Sequence, residues 1–176
     1  MTAINLDTQD GAPIIDLGTI TARLDQGLSQ APGSGGPDRH STWITTLNRD
    51  GAPHTTGIGV LWAESAFWFE TGPRTRKARN LACDPRCTLA LATHEFDLVA
   101  EGRADRVTEP HLVAARASEW AAGGWPCEVD DSGIALTAPF TAPTGGPPPW
   151  WVFRVEVTSM VALRTVEPYG ATRWRF

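Results

Sequence analysis

From Thr42 onward the chain is written in short runs of β-branched, aromatic and aliphatic residues separated by turn signals, and this rhythm constrains the fold more than any other feature. Residues 42–47 lead into Asn48-Arg49-Asp50-Gly51, and residues 53–62 and 66–71 follow. Asp-Gly between two such runs marks a hairpin, because glycine supplies the positive φ of a tight turn. Residues 87–93 and 98–107 read as a second antiparallel pair, and residues 151–157 and 159–164 as the last clear strands. Helical spacing occurs in three places. Ile14, Leu17, Ile20, Leu24 and Leu28 recur on one helical face, a short helix fits residues 75–82, and a third fits 110–122 before Gly123-Gly124. The second ends ahead of Asp84-Pro85, since the residue before proline avoids helical geometry.

Six or seven short strands at hairpin spacing with only three helices predict a mainly β chain: an antiparallel split β-barrel with flanking helices. At 176 residues the chain suits one domain. The expected organisation is an N-terminal helix and linker over residues 1–37, the linker carried by Ala31-Pro32-Gly33-Ser34-Gly35-Gly36-Pro37, and the barrel over 38–176. Within residues 53–62, Thr55, Gly57, Gly59 and Leu61 alternate with His54, Thr56, Ile58, Val60 and Trp62. Glycine in a strand marks close approach of a ligand or of another backbone, and both readings stand for Gly57 and Gly59.

Charge excludes several functions. A net charge of −5 and a pI near 5.3 leave no broad basic surface for nucleic acid. No apolar run is long enough to span a bilayer, and residues 1–13 lack the basic and apolar regions of a signal peptide, so a cytoplasmic location is expected. Cys83, Cys87 and Cys127 neither form a disulfide framework nor pair with the scattered histidines as metal ligands. No Ser/His/Asp or Cys/His set suggests covalent catalysis, and no catalytic residue is assigned.

The chemistry concentrates in Thr71-Gly72-Pro73-Arg74-Thr75-Arg76-Lys77-Ala78-Arg79. Four of the chain's 15 cationic residues fall within six positions there, at a strand-to-helix junction. The single lysine, Lys77, stands among 14 arginines, a bias expected of a GC-rich genome. Free N–H groups at the helix start, the helix dipole, the Thr71 and Thr75 hydroxyls and the arginine side chains suit a phosphate. A solvated charged face is the alternative. Neither a P-loop nor a Rossmann glycine turn is present.

Thr75-Arg76-Lys77, Asn80-Leu81 and Asp84-Pro85-Arg86, set between Phe67-Trp68-Phe69 and Cys87-Thr88-Leu89-Ala90-Leu91, resemble the pyridoxamine 5′-phosphate oxidase-like split β-barrel family, most closely over residues 40–107. The resemblance implies a homodimer that holds FMN, or the deazaflavin coenzyme F-420, between protomers. It implies Arg76 and Lys77 at the cofactor phosphate with Arg74 in the same basic run, Thr71 and Thr75 as hydroxyl donors, and His54, Thr55, Thr56 and Gly57 along the ring. Arg173 and Trp174, in the closing Arg173-Trp174-Arg175-Phe176, resemble the C-terminal strand that reaches the partner's cofactor. Thr55-Thr56-Gly57-Ile58-Gly59-Val60 departs from the basic pattern of true pyridoxamine phosphate oxidases, so vitamin B6 oxidation is not expected. With the arginine-rich composition, the resemblance points to an actinobacterial F-420-dependent reductase that passes a hydride to a conjugated small molecule. FMN is the alternative cofactor, and a non-catalytic flavin, deazaflavin or haem carrier is the alternative function. His54 or water would supply the proton, and Trp125, Trp150 and Trp151 an apolar wall or lid.

Overall fold

In the computed structural model, residues 1–8, 11–30, 33, 36 and 39–176 are described. The expected linker residues Ala31, Pro32, Ser34, Gly35 and Pro37 lie outside them. In chain order the elements are β1 (Thr2–Asn5), α1 (Leu17–Asp25), β2 (Ser41–Leu47), β3 (Pro53–Ile58), β4 (Leu61–Ala63) and β5 (Ala66–Thr71). Then come α2 (Arg76–Cys83), β6 (Arg86–Ala92), β7 (Phe96–Val107) and α3 (Pro110–Ala122). The chain ends with β8 (Glu128–Val129), β9 (Leu136–Thr137), β10 (Trp151–Arg164) and β11 (Gly170–Arg175).

Antiparallel ladders run from β4 through β5, β10, β7, β6 and β2 to β3. This is the mainly β split-barrel architecture with three flanking helices. No ladder joins β3 to β4 among the described residues, so the sheet stays open there. What reads in sequence as one strand over 53–62 is divided at Gly59 and Val60. The Val60 N–H donates to Gln30 Oε1 at 2.6 Å rather than to a neighbouring strand, and Gln30 Nε2 donates to Thr42 Oγ1 at 2.6 Å.

The opposite happens at the C-terminus. The two expected strands at 151–157 and 159–164 form the single strand β10, whose register with β7 shifts between Val157 and Ser159. One half of β10 pairs with β5, the other with β11, while β7 runs along nearly all of its second edge. Residues 2–5, without strand character in the sequence reading, form β1 on β11, which supplies the hydrogen-bond partners that so short a segment lacks alone.

Two apolar cores explain the patterning. On β5, Phe67 and Phe69 enter a core with Ile20, Leu24, Ile44, Leu89 and Val155, while Ala66 and Trp68 enter another with Val113, Leu136, Trp150 and Val152. A strand buried on both faces reads as a continuous apolar run, as Ala66-Phe67-Trp68-Phe69 does. Each such buried side chain contributes about 1.5–3 kcal/mol of transfer free energy. Phe69 stacks on Phe153 with ring centres 5.0 Å apart. Together these cores fix the end of β5, and with it the basic turn that follows.

Candidate functional site

The turn after β5 is held by hydroxyls. Thr75 caps α2: its Oγ1 accepts from the Ala78 N–H at 3.3 Å and donates to the Gly72 carbonyl at 2.9 Å. Its one proton being used, the contact with Thr71 Oγ1 at 3.0 Å has Thr71 as donor. Thr71 is fully buried, and its hydroxyl is bonded within the turn. The first intrahelical bond runs from the Arg79 N–H to the Thr75 carbonyl at 3.2 Å, which leaves the N–H groups of Arg76 and Lys77 ahead of it without intrahelical acceptors. Arg74, Arg76 and Arg79 are exposed around this start, and none forms an ion pair among the described residues.

Lys77 turns the other way. It is 2% exposed, and its ammonium donates to the Thr144 carbonyl at 2.6 Å. The same loop returns two further contacts: Gly72 N–H donates to the Gly145 carbonyl at 2.9 Å, and Thr144 Oγ1 donates to the Gly57 carbonyl at 2.9 Å. Lys77 therefore ties the loop to the turn instead of facing open solvent beside Arg76.

Below that loop lies Glu70, on β5, which sequence reasoning did not single out. Its Oε2 is buried with no hydrogen-bond partner. Burial pushes the carboxyl up to about 7, against the opposing pull of Lys77. Burial likewise lowers the Lys77 ammonium, with Glu70 acting against the shift. A signal was available: Glu70 is the one charged residue of β5 and directly follows the apolar run Ala66-Phe67-Trp68-Phe69.

Glu70 lines a cleft of about 390 Å³. Trp43, Trp62, Trp120 and Trp125 contribute to its walls, and Gly57 and Gly59 to its floor. Gly57 sits beneath Trp43, whose ring carbon lies 3.7 Å from where a Cβ would stand. Close approach thus holds on one side of Gly57, and Gly59 opens on the cleft. Trp125 Nε1 is also buried without a partner. Trp150, by contrast, is fully buried behind the cleft, with Nε1 donating to the Gly146 carbonyl at 2.9 Å, and Trp151 lies under the Arg106 guanidinium at 4.0 Å. Of the three tryptophans expected at a substrate wall, Trp125 alone lines this cleft.

Other expected residues are spread along β3 and β11. His54 is half-buried on β3 near α2, and its imidazole is lowered by burial and by the charges of Arg76 and Lys77. Thr55 is exposed and hydrogen-bonded to Thr45 Oγ1 at 2.9 Å, and Thr56 is half-buried. Trp174, at 1% exposure, fills the core of its own protomer between β1 and β10. Arg173, its neighbour on the opposite face of β11, is half-buried.

A phosphate-bearing cofactor suits this turn on the evidence of its donors. Unpaired arginines surround a helix start with open N–H groups, and no carboxylate is bonded to them among the described residues. The residues that fit are Arg74, Arg76 and the first turn of α2, whereas Thr71, Thr75 and Lys77 hold the turn in shape.

Comparison with curated proteins finds no match. Among solved structures, general stress protein 26 of Bacillus anthracis is 12% identical, covers 92% of this chain and 100% of its own, and superposes with a TM-score of 0.58. A conserved hypothetical protein of Mycobacterium tuberculosis is 18% identical over 85% of this chain and 84% of its own, with a TM-score of 0.57. A pyridoxamine 5′-phosphate oxidase-related FMN-binding protein of Nostoc punctiforme is 16% identical over 82% and 91%, with a TM-score of 0.52. At these identities the likeness speaks for the fold. The sequence itself goes further, because the family model for pyridoxamine 5′-phosphate oxidase matches residues 37–157, more than half of the length, and the chain belongs to that family.

Proposed function

We propose that the protein is a flavin- or deazaflavin-dependent oxidoreductase, with F-420 preferred, that reduces a conjugated small molecule in the aromatic cleft. The observation that carries this reading is the position of β3: His54 lies under the influence of Arg76 at one end, and Gly57 floors the tryptophan-walled cleft at the other. One strand thus connects an anion site to an apolar pocket. Arg76, with the N–H groups at the start of α2, would hold the phosphate, and the backbone of residues 54–57 would lie along the ring. The cofactor would supply a hydride; the chain orients both molecules and keeps water from the reacting atoms. Glu70, an acid at the cleft, favours the enzyme over a non-catalytic carrier. The reading includes a cytoplasmic homodimer with the cofactor between copies, supported by the exposed Trp43 beside the edge strand β3.

Fluorescence titration of the apo-protein with FMN and with F-420 tests this, with sedimentation analysis for the dimer. F-420 is expected to bind more tightly, and Arg76→Ala to weaken it at least tenfold, as loss of a charge-assisted hydrogen bond does. A clear preference for FMN would overturn the cofactor assignment, and binding of neither would overturn the function.

A further inference from the structure

We propose that Glu70 is the acid of the cleft and that, with Trp125, it recognises the oxygen of a flat conjugated carbonyl substrate. The inference deepens the oxidoreductase reading and rests on it for the chemical step. Two buried polar atoms among the cleft-lining residues are left without partners: Glu70 Oε2 and Trp125 Nε1. Unpaired buried polar groups are costly, and a cleft that holds two of them is built for a ligand that supplies partners. Both side chains flank Trp150. The Trp125 and Trp150 ring centres are 6.1 Å apart, and Glu70 Oε2 and Trp150 Nε1 lie 3.3 and 3.7 Å from the same point, where a Cβ on Gly145 would stand. Trp150 is no competitor for Glu70, since its N–H is given to Gly146.

An indole N–H only donates, so its partner must accept; a protonated carboxyl also donates. A carbonyl oxygen meets either requirement, and the four cleft tryptophans call for a planar, conjugated body behind it. When such a substrate takes a hydride from the reduced cofactor at carbon, the electron pair of its π system moves to the oxygen. The Glu70 O–H bond breaks as a new O–H bond forms on the substrate, giving an alcohol, enol or hydroquinone. The carboxylate left behind faces the Lys77 ammonium and regains a proton from water in the cleft.

The groups around Glu70 permit this cycle at neutral pH. Lys77 faces it from α2. Cys127, after α3, is held as a thiol, pushed up to about 11 by burial first and by the Glu70 charge second. The loop at 142–149 contributes no ionisable side chain. Glu119, Arg39 and His40 also line the cleft; Glu119 is bonded to Arg116, and His40 to Arg23 and the Ser29 N–H.

The test uses menadione as a conjugated carbonyl probe, its binding to cofactor-free protein read by tryptophan fluorescence from pH 5 to 9, with infrared titration of the carboxylic acid band. Wild type is expected to bind at least tenfold more tightly at pH 5 than at pH 9, and Glu70→Gln to bind without that dependence. Trp125→Phe should weaken binding several-fold at every pH while keeping the dependence. The acid band should titrate near neutrality and vanish in Glu70→Gln. Absence of menadione binding, or an unchanged pH dependence in Glu70→Gln, overturns the proposal. If the pH-dependent binding is found but reduced F-420 and reduced FMN both fail to reduce menadione, the acid site stands and the oxidoreductase reading falls. Turnover with the same pH profile in both proteins does the reverse.

Discussion

Replacing Glu70 by glutamine removes a titratable group that the fold holds in the wrong solvent, and the consequence for stability can be worked out from its surroundings. The carboxyl ordinarily titrates near 4.5 and is pushed by burial to about 7. Below pH 4.5 it is protonated in both folded and unfolded chains and contributes no pH dependence. Between 4.5 and about 7 the unfolded chain ionises while the folded one keeps its proton, so wild-type stability falls as pH rises. Above 7 both are ionised and the loss is complete. At about 1.4 kcal/mol per tenfold change in proton affinity, the loss amounts to about 3 kcal/mol. Glutamine does not titrate, so Glu70→Gln should gain about 3 kcal/mol on wild type between pH 4 and pH 8.5, whatever its offset at pH 4. Lys77 is present in both proteins, so the difference between their curves reports Glu70 together with its coupling to that lysine. Urea unfolding at a series of pH values measures it, and for a chain of this size the change corresponds to about 6–12 °C in midpoint temperature. Parallel stability curves for the two proteins would show that the folded carboxyl titrates like one in water, and the account of a buried acid would be wrong.

Two further substitutions probe the scaffold. Thr75→Ala removes the cap of α2 and the acceptor of the Thr71 hydroxyl, and should cost about 1 kcal/mol or more in thermal unfolding, with Thr75→Ser restoring most of it; no loss would deny the hydroxyl its place in the turn. Gly102→Ala places a methyl against the Glu156 carbonyl, where β7 meets β10 beside the register shift. Overpacking there should cost about 1–3 kcal/mol or more, read by the same melts, and an unchanged midpoint would show that the strands part freely.

Much of the barrel is legible in local pattern. β2 alternates buried Thr42, Ile44 and Thr46 with outward Ser41, Trp43 and Thr45, and β6 and β7 begin and end within two residues of their expected limits. The basic turn is equally plain, because hydroxyl, arginine and helix start are contiguous. Illegible were the features that depend on a distant partner. Nothing near Gly59 announces that the Gln30 side chain divides the strand, and Thr2 to Asn5 become a strand only when the edge of β11 is there to receive them.

Trp174 and Lys77 mark the same boundary at the site. Both stand in motifs that the sequence read as ligand-facing, and both are turned into the protein by elements far along the chain: Trp174 by β1 and β10, Lys77 by the loop at Thr144. Local order by itself determined the strand and helix types, the turn and its positive charge, since these follow from side-chain periodicity and backbone freedom within a few residues. Tertiary structure alone decided which polar groups lose their water. Glu70 is an ordinary carboxylate in its own strand and becomes a neutral-range acid only when residues more than seventy positions later close over it, because desolvation is a property of everything that surrounds a group.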